Sequence, residues 1–217
     1  VAAQLIRMLR DRSSTAFKIT LIEKHERPGR GVAYGSENPR HLLNVTAARM
    51  SLFPDDPEHF VRWAAKRGFP NPEALYLPRP FYGEYVEDTL LREANGWIGR
   101  DQVRIQRDEV TKWKRAQNGT LEVDLSSGAK LSANHLILAA GYGPPRAPFG
   151  VPASEKNNRY IPDPWSTSNK MSLAAIGGDD HVLIAGTGLT AVDIALDILS
   201  RSTRTRVTAI SRRGLLP

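Results

Sequence analysis

HVLIAGTGLTAVDIAL, residues 181–196, is the stretch that decides the fold. His181 to Ala185 read as a short buried strand, Gly186-Thr187-Gly188 as a turn, and Leu189 onward as a helix with apolar residues at helical spacing. Gly186, Gly188 and Ala191 match G-x-G-x-x-A in that context. The first glycine permits a tight turn, and the second lets the backbone approach a pyrophosphate. The small third residue lets helix and strand pack closely, and the helix N-terminus favours the phosphate charge. Thr187, Leu189 and Thr190 complete the loop and first turn, so residues 186–191 are the candidate nucleotide-binding set. A plain strand-turn-helix shares the glycine spacing, but the strand before and the helix after favour a nucleotide.

The next strand of the unit is RVTAIS, residues 206–211, which runs into Arg212-Arg213 instead of an acid. A carboxylate there would grip the ribose 2′-hydroxyl of NAD, whereas arginines pair with the 2′-phosphate of NADP. A solvated turn is the alternative, because arginine is common on exposed loops.

Upstream, Val1, Leu5, Met8 and Leu9 fall on one face of a predicted helix, and FKITLIEK (17–24) reads as a strand closing on Glu23 and Lys24 after a Ser13-Ser14-Thr15 loop. Helix then strand then acid is where a dinucleotide fold places the carboxylate for an adenosine ribose. A surface acid is the competing reading of Glu23. The glycine loop that would precede such a helix is not among these residues, so the chain reads as an internal piece with its first motif missing.

HERPGRGVAYGSENPRH (25–41) is dense in Gly and Pro and reads as a long loop. In LFPDDPEHFVRWAAKRG (52–68), Asp55 or Asp56 is the expected cap, Pro57 the first helical residue, Phe60, Val61 and Ala64 the inward face, and Gly68 the stop. A second helix carries Tyr82, Val86 and Leu90 and is expected to stop at Asn95-Gly96. From Gln102 the period becomes two. VRIQ, EVTKWKRA, TLEVDL and AKLS predict an antiparallel meander over about 102–132, followed by HLILAAG (135–141) as a strand buried on both faces. Residues 146–180 read as a connector. The expected organisation is a first nucleotide-binding domain over 1–145, with a helical insert at about 55–97, and the start of a second over 181–217.

The 217 residues are 41% hydrophobic, enough to fill an ordinary core. Zero cysteines exclude disulfides, thiolate metal sites and cysteine redox pairs, so electron transfer would rest on an organic cofactor, in a cytoplasmic setting. The most apolar run, 182–199, carries Asp193, Asp197 and two glycines, which argues against a membrane span. The net charge of +7 implies an anionic partner. Its arginines scatter as Arg7, Arg10 and Arg12, then Arg201, Arg204, Arg206, Arg212 and Arg213, without the interleaved aromatics of a nucleic-acid surface. The expected partner is a small-molecule substrate, with neither nucleic acid nor membrane.

EKHERPGRGVAY (23–34), HLLNVTAARMSLFPDDPEHFVRWA (41–64), ILAAGYGPPRAPF (137–149) and IAGTGLTAVD (184–193) together resemble the bacterial FAD-NAD(P)-binding family, two-dinucleotide-fold flavoproteins related to flavin-containing monooxygenases. The resemblance implies an α/β Rossmann-like fold that binds FAD and NADP(H), with a helical pair and a meander inserted. It implies that Glu23, with Lys24 beside it, holds FAD, and that Gly29, Arg30 and Gly31 pass near the cofactor. Asn44, Met50, Phe53, Pro54 and Asp55 resemble the flavin-proximal stretch, Val110 would meet the adenine through its backbone, and Gly141 would close the strand beside the flavin, with Ala140 where Thr is usual.

The implied activity is NADPH-dependent oxidoreduction through flavin, as in a monooxygenase. A non-catalytic nucleotide-binding or redox-sensing module is the alternative. Asn44 is the candidate catalytic residue: its amide would donate where charge develops on the flavin or NADP. Its alternative role is to tie down its own loop. His41 and His59 are read as loop-positioning or helix-surface residues, and Asp55-Asp56 as a helix cap.

Overall fold

The computed structural model describes residues 1–11, 17–98, 100–141, 143, 145 and 159–215. Arg12, the Ser13-Ser14-Thr15 loop and most of the YGPPRAPF stretch lie outside the described residues. The chain divides into two compact units, Val1–Ala140 and Gly141–Pro217.

In the first unit, helix α1 (Ala2–Asp11) leads to strand β1 (Ile19–Glu23), a one-turn helix α2 (Gly31–Tyr34), helix α3 (His59–Ala65) and the long helix α4 (Arg79–Ile98). Strand β2 (Val103–Arg107) then pairs in parallel with β1, Ile19 opposite Val103 and Glu23 opposite Arg107. Strands β3 (Val110–Arg115), β4 (Leu121–Leu125) and β5 (Lys130–Ala133) form a separate antiparallel meander. The predicted meander therefore loses its first member: VRIQ belongs to the parallel pair. Its alternation cannot distinguish the two fates, and what decides is α4, whose end at Ile98 delivers the chain beside β1, where Ile19 N–H donates to Gln102 O at 2.8 Å.

Two cores hold this unit. Phe60, Trp63, Ala64, Leu77, Tyr82, Tyr85, Leu43 and Ala47 form one, and Ala3, Ile6, Leu90, Ala94, Trp97 and Val103 the other. The inward face of α1 is thus Ala3 and Ile6, whereas Val1 and Met8, expected inside, are exposed. Small Ala3 lets α1 lie close on α4. Likewise α4 does not stop at Asn95-Gly96 but runs to Ile98, because Ala94 and Trp97 are buried and Trp97 packs on Phe17 at 5.2 Å between ring centroids. That packing outweighs the roughly 1 kcal/mol that a helical glycine costs. Gly68 does end its segment, at φ +93°.

The largest departure is HLILAAG. Residues 135–140 join no strand, and Ile137 and Leu138 are 57% and 66% exposed. An apolar run becomes a buried strand only where a ladder receives it, and β1 is bonded to β2 in a two-stranded sheet.

In the second unit, helix α5 (Thr167–Ala174) lies within the stretch read as a connector. Strand β6 (His181–Ala185), helix α6 (Leu189–Leu199) and strand β7 (Arg206–Ile210) follow, with β6 and β7 parallel from His181–Arg206 to Ala185–Ile210. This is a βαβ unit built around the opening motif. No helix among the described residues is long and apolar enough to cross a membrane.

Candidate functional site

The glycine turn of the second unit is shaped by two backbone requirements. Gly186 has φ +123°, a region that side chains rarely adopt, and its N–H donates to Ile210 O at 2.7 Å. Gly188 is the N-cap of α6, and its carbonyl accepts Ala191 N–H at 2.8 Å. Ala191 is buried, while Leu189 and Thr190 stand exposed in the first turn, where helix amides lack intrahelical partners. Thr187 Oγ1 donates to the carbonyl of Leu215, folding the segment after β7 back over the turn. A cleft of about 380 Å³ results, lined by Thr187, Ser211, Arg212, Arg213 and Leu215. Both arginines are exposed, and neither forms an ion pair among the described residues. The donor set is cationic and unneutralised, which fits a phosphate.

The first unit carries a second cleft, of about 420 Å³, lined by Lys24, Arg107, Asp108, Glu109, Ser126 and Ser127. It opens where β1 and β2 end. Glu23 Oε1 accepts His25 N–H at 3.0 Å, and Glu23 O accepts Asp108 N–H at 3.1 Å. The first bond orients the carboxylate at the strand end, and the remaining oxygen suits a sugar hydroxyl. Lys24 Nζ lies 3.5 Å from Glu109 Oε1. Val110 opens β3 opposite Leu125, with a register shift between Val110 and Lys112 that breaks the regular ladder there.

Asp108 is the busiest acceptor here. Its oxygens take Ser126 Oγ at 2.7 Å, Ser127 Oγ at 2.5 Å, Ser127 N–H at 3.2 Å, Glu109 N–H at 2.9 Å and Gln106 Nε2 at 3.3 Å. The bonds from Ser127 and Ser126 hold its carboxyl well below the usual carboxylate range. Neither Asp108 nor the serines were singled out from the sequence. An aspartate between two strands was the available signal, since such residues bond neighbouring turns.

The loop after β1 folds onto α4. Arg30 is buried, with Nη2 2.7 Å from Glu87 Oε2, and Arg27 Nε donates to the same oxygen at 3.0 Å. A side chain at Gly83 would meet Tyr34 O at 2.4 Å, which explains the glycine beneath this loop. Gly31 has φ +55° and opens α2. Arg30 is thus placed against Glu87 on α4.

Asn44 lies in a non-strand segment bonded to residues 75–77: Leu43 N–H donates to Leu77 O at 2.9 Å and Ala47 N–H to Leu75 O at 3.0 Å. Backbone bonds therefore fix this segment. The Asn44 side chain is exposed and makes no hydrogen bond among the described residues, so it does not tie down the loop. Met50 is half-buried against the aromatic core. Gly141 has φ +70° and begins the second unit.

His41 is buried, its Nδ1 2.6 Å from Ser36 Oγ. His59, read as a surface residue, instead has two partners: Tyr85 Oη at 2.7 Å from Nδ1 and Arg92 Nη2 at 3.0 Å from Nε2. Guanidinium only donates, so Nε2 accepts and Nδ1–H donates to Tyr85. Burial, then the Arg92 charge, holds the His59 pKa below its ordinary value. Asp55 and Asp56 are not a cap. Asp55 pairs with Arg7 at 2.8 Å, Asp56 pairs with Arg62 at 2.6 Å, and the N-cap Glu58 makes no side-chain cap bond. Arg7, 48 residues away and invisible in local sequence, took Asp55, and Arg62, six residues on, took Asp56. Among the described residues no group of acidic or histidine side chains is placed to hold a metal ion.

A sequence model of a family described as FAD-NAD(P)-binding matches residues 1–143. No curated protein sequence matches the chain. Among solved structures, OTEMO in complex with FAD and NADP is similar over 96% of this chain and 37% of its own, at 17% identity and a TM-score of 0.58. Ornithine hydroxylase from Pseudomonas aeruginosa is similar over 97% of this chain and 51% of its own, at 16% identity and a TM-score of 0.58. FAD-bound DfoA, the cadaverine monooxygenase of Erwinia amylovora, is similar over 98% and 49%, at 14% identity and a TM-score of 0.56. At these identities the likeness shows the α/β fold, and the chain spans about half or less of each of these proteins.

Proposed function

The chain belongs to the FAD-NAD(P)-binding family, and from that premise we propose that it is part of an NADPH-using, FAD-dependent flavin monooxygenase acting on a small molecule. The observation that carries the reading is a difference between two strand ends: β1 closes on the carboxylate of Glu23, whereas β7 leads into Arg212 and Arg213, which form no ion pair among the described residues. A carboxylate accepts the hydroxyls of an unphosphorylated ribose, and paired guanidinium groups bind a 2′-phosphate. Nucleotides of two kinds are thereby distinguished by charge.

In this reading Glu23 accepts from the adenosine ribose of FAD, with Lys24 beside it and the Val110 backbone against the adenine. Gly186, Thr187, Gly188, Leu189, Thr190 and Ala191 cradle the NADPH pyrophosphate through backbone amides. Gly31, at positive φ, and Arg30 and Met50 are assigned to the flavin side of the first unit. When bound, the two cofactors supply hydride transfer from nicotinamide to flavin. Asn44 offers an exposed amide, on a backbone fixed by the Leu43–Leu77 and Ala47–Leu75 bonds, that donates a hydrogen bond without first having to release one. The monooxygenase and the hydroxylase among the structural neighbours support oxygen chemistry, and the absence of cysteine fits a cytoplasmic setting.

The test is a visible spectrum of the full-length protein after gentle purification and soaking with FAD. Retained flavin absorbance is the expected result. A protein that holds no flavin under those conditions removes the reading.

A further inference from the structure

We propose that Asp108 is the positioning residue of the first cleft: it clamps the turn between β4 and β5 against the ends of β1 and β2, and so sets the wall that Ser126 and Ser127 form beside Lys24. The proposal rests on reading this cleft as the FAD adenosine site.

The geometry is that of a junction. The Asp108 backbone N–H donates to Glu23 O at 3.1 Å, which fixes it to the end of β1. Its side chain then reaches residues eighteen and nineteen positions later, taking the hydroxyls of Ser126 at 2.7 Å and Ser127 at 2.5 Å and the Ser127 N–H at 3.2 Å. Ser126 N–H donates to Glu109 O at 2.9 Å and adds a backbone bond to the same junction. Parallel pair and meander are different sheets, so no ladder hydrogen bond holds them in register. Here a carboxylate takes over that task.

Asp108 acts through the turn and does not itself offer an acceptor to a ligand. Oδ1 already takes Ser126 Oγ, Ser127 N–H and Glu109 N–H, and Oδ2 takes Ser127 Oγ and Gln106 Nε2. Five donors fill the acceptor capacity of one carboxylate. Glu23, by contrast, has one oxygen engaged by His25. The two acids at the ends of β1 and β2 therefore divide the work: Glu23, next to the cleft residue Lys24, keeps an oxygen for a ligand, and Asp108 holds the wall.

The test uses the full-length protein and FAD affinity read by flavin fluorescence. Asp108→Ala is expected to weaken FAD binding about tenfold, the scale of losing hydrogen bonds to a charged acceptor, while NADPH affinity stays at its wild-type value. Asp108→Asn is expected to recover most of the affinity, because its carbonyl keeps the Oδ1 set and its amide donates to Ser127 Oγ. Ser126→Ala with Ser127→Ala should lose as much as Asp108→Ala, and adding Asp108→Ala to that pair should lose at most about twofold more.

Wild-type FAD affinity in Asp108→Ala, or full additivity with the serine pair, overturns the proposal. If Asp108→Ala does not fold, the Ser126→Ala/Ser127→Ala variant carries the same comparison. A wild-type protein that binds no FAD fails differently: it removes the adenosine-site reading and this proposal with it.

Discussion

The amide of Gly186 donates to the carbonyl of Ile210 at 2.7 Å, joining the first glycine of the turn to the last residue of β7, two positions before Arg212. One bond thus links the glycine turn to the start of the arginine loop. The bond needs the φ of +123° at Gly186, where nothing lies within 4 Å of an added Cβ. Gly186→Ala is therefore not a steric clash but a backbone strain, of about 1–3 kcal/mol. Chemical denaturation should show that loss, and NADPH binding should weaken with it; unchanged stability and NADPH affinity would contradict this role.

Arg212 and Arg213 are predicted to set the choice of nicotinamide cofactor. Replacing both with alanine should raise the KM for NADPH roughly 10–100-fold, the equivalent of losing hydrogen bonds to a charged group. The KM for NADH should stay within about twofold, because NADH lacks the 2′-phosphate. Steady-state kinetics on the full-length enzyme checks this, and a double variant that keeps its NADPH preference sinks the assignment.

Phe60 is fully buried at the centre of an aromatic cluster, 5.0 Å from Tyr82 and 4.7 Å from Tyr85 between ring centroids. Phe60→Ala should cost about 3–5 kcal/mol through the cavity it leaves. Tyr85→Phe is gentler: it keeps the packing but strips an acceptor from Leu52 N–H and from His59, for about 1–3 kcal/mol. Urea denaturation of both variants should return them in that order.

His59 makes stability depend on pH with a definite sign. Its pKa is depressed in the folded protein, by burial first and then by Arg92, Arg62 and Arg7, with Asp56 opposing. Below the unfolded value of 6.5 the unfolded chain binds the extra proton more readily than the folded one. Stability contributed by neutral His59 is complete above that value and declines as pH falls from it toward the lower folded pKa. Melting temperatures measured from neutral to mildly acidic pH should fall, and His59→Gln should flatten that portion of the curve. An identical slope in the variant would show that other groups carry it.

Local rules served where local chemistry decides the outcome. The β6-turn-α6-β7 unit follows from glycine spacing and apolar periodicity, and Gly68 ends its segment because only the backbone is involved. They failed where distant residues compete. Asp55 looked like a cap until Arg7 reached it, and Asn95-Gly96 looked like a stop until Trp97 found Phe17. VRIQ shows that period-two alternation marks a strand without naming its partner, and HLILAAG shows that an apolar run without a ladder stays outside the sheet. The positions of Glu23 at the end of β1 and of Arg212 and Arg213 just after β7 were legible because strand ends are predictable. Asp108 was not, because its role exists only once the turn at Ser126-Ser127 folds back beside it.

In the proposed reading one polypeptide carries a flavin site marked by a strand-end carboxylate and an NADPH site marked by two arginines. The most direct test of that reading is anaerobic stopped-flow reduction of the full-length, FAD-loaded protein, following the flavin absorbance. NADPH is expected to bleach the flavin, and to do so faster than NADH at equal concentration. Flavin that stays oxidised under NADPH, or equal rates with both nucleotides, would contradict it.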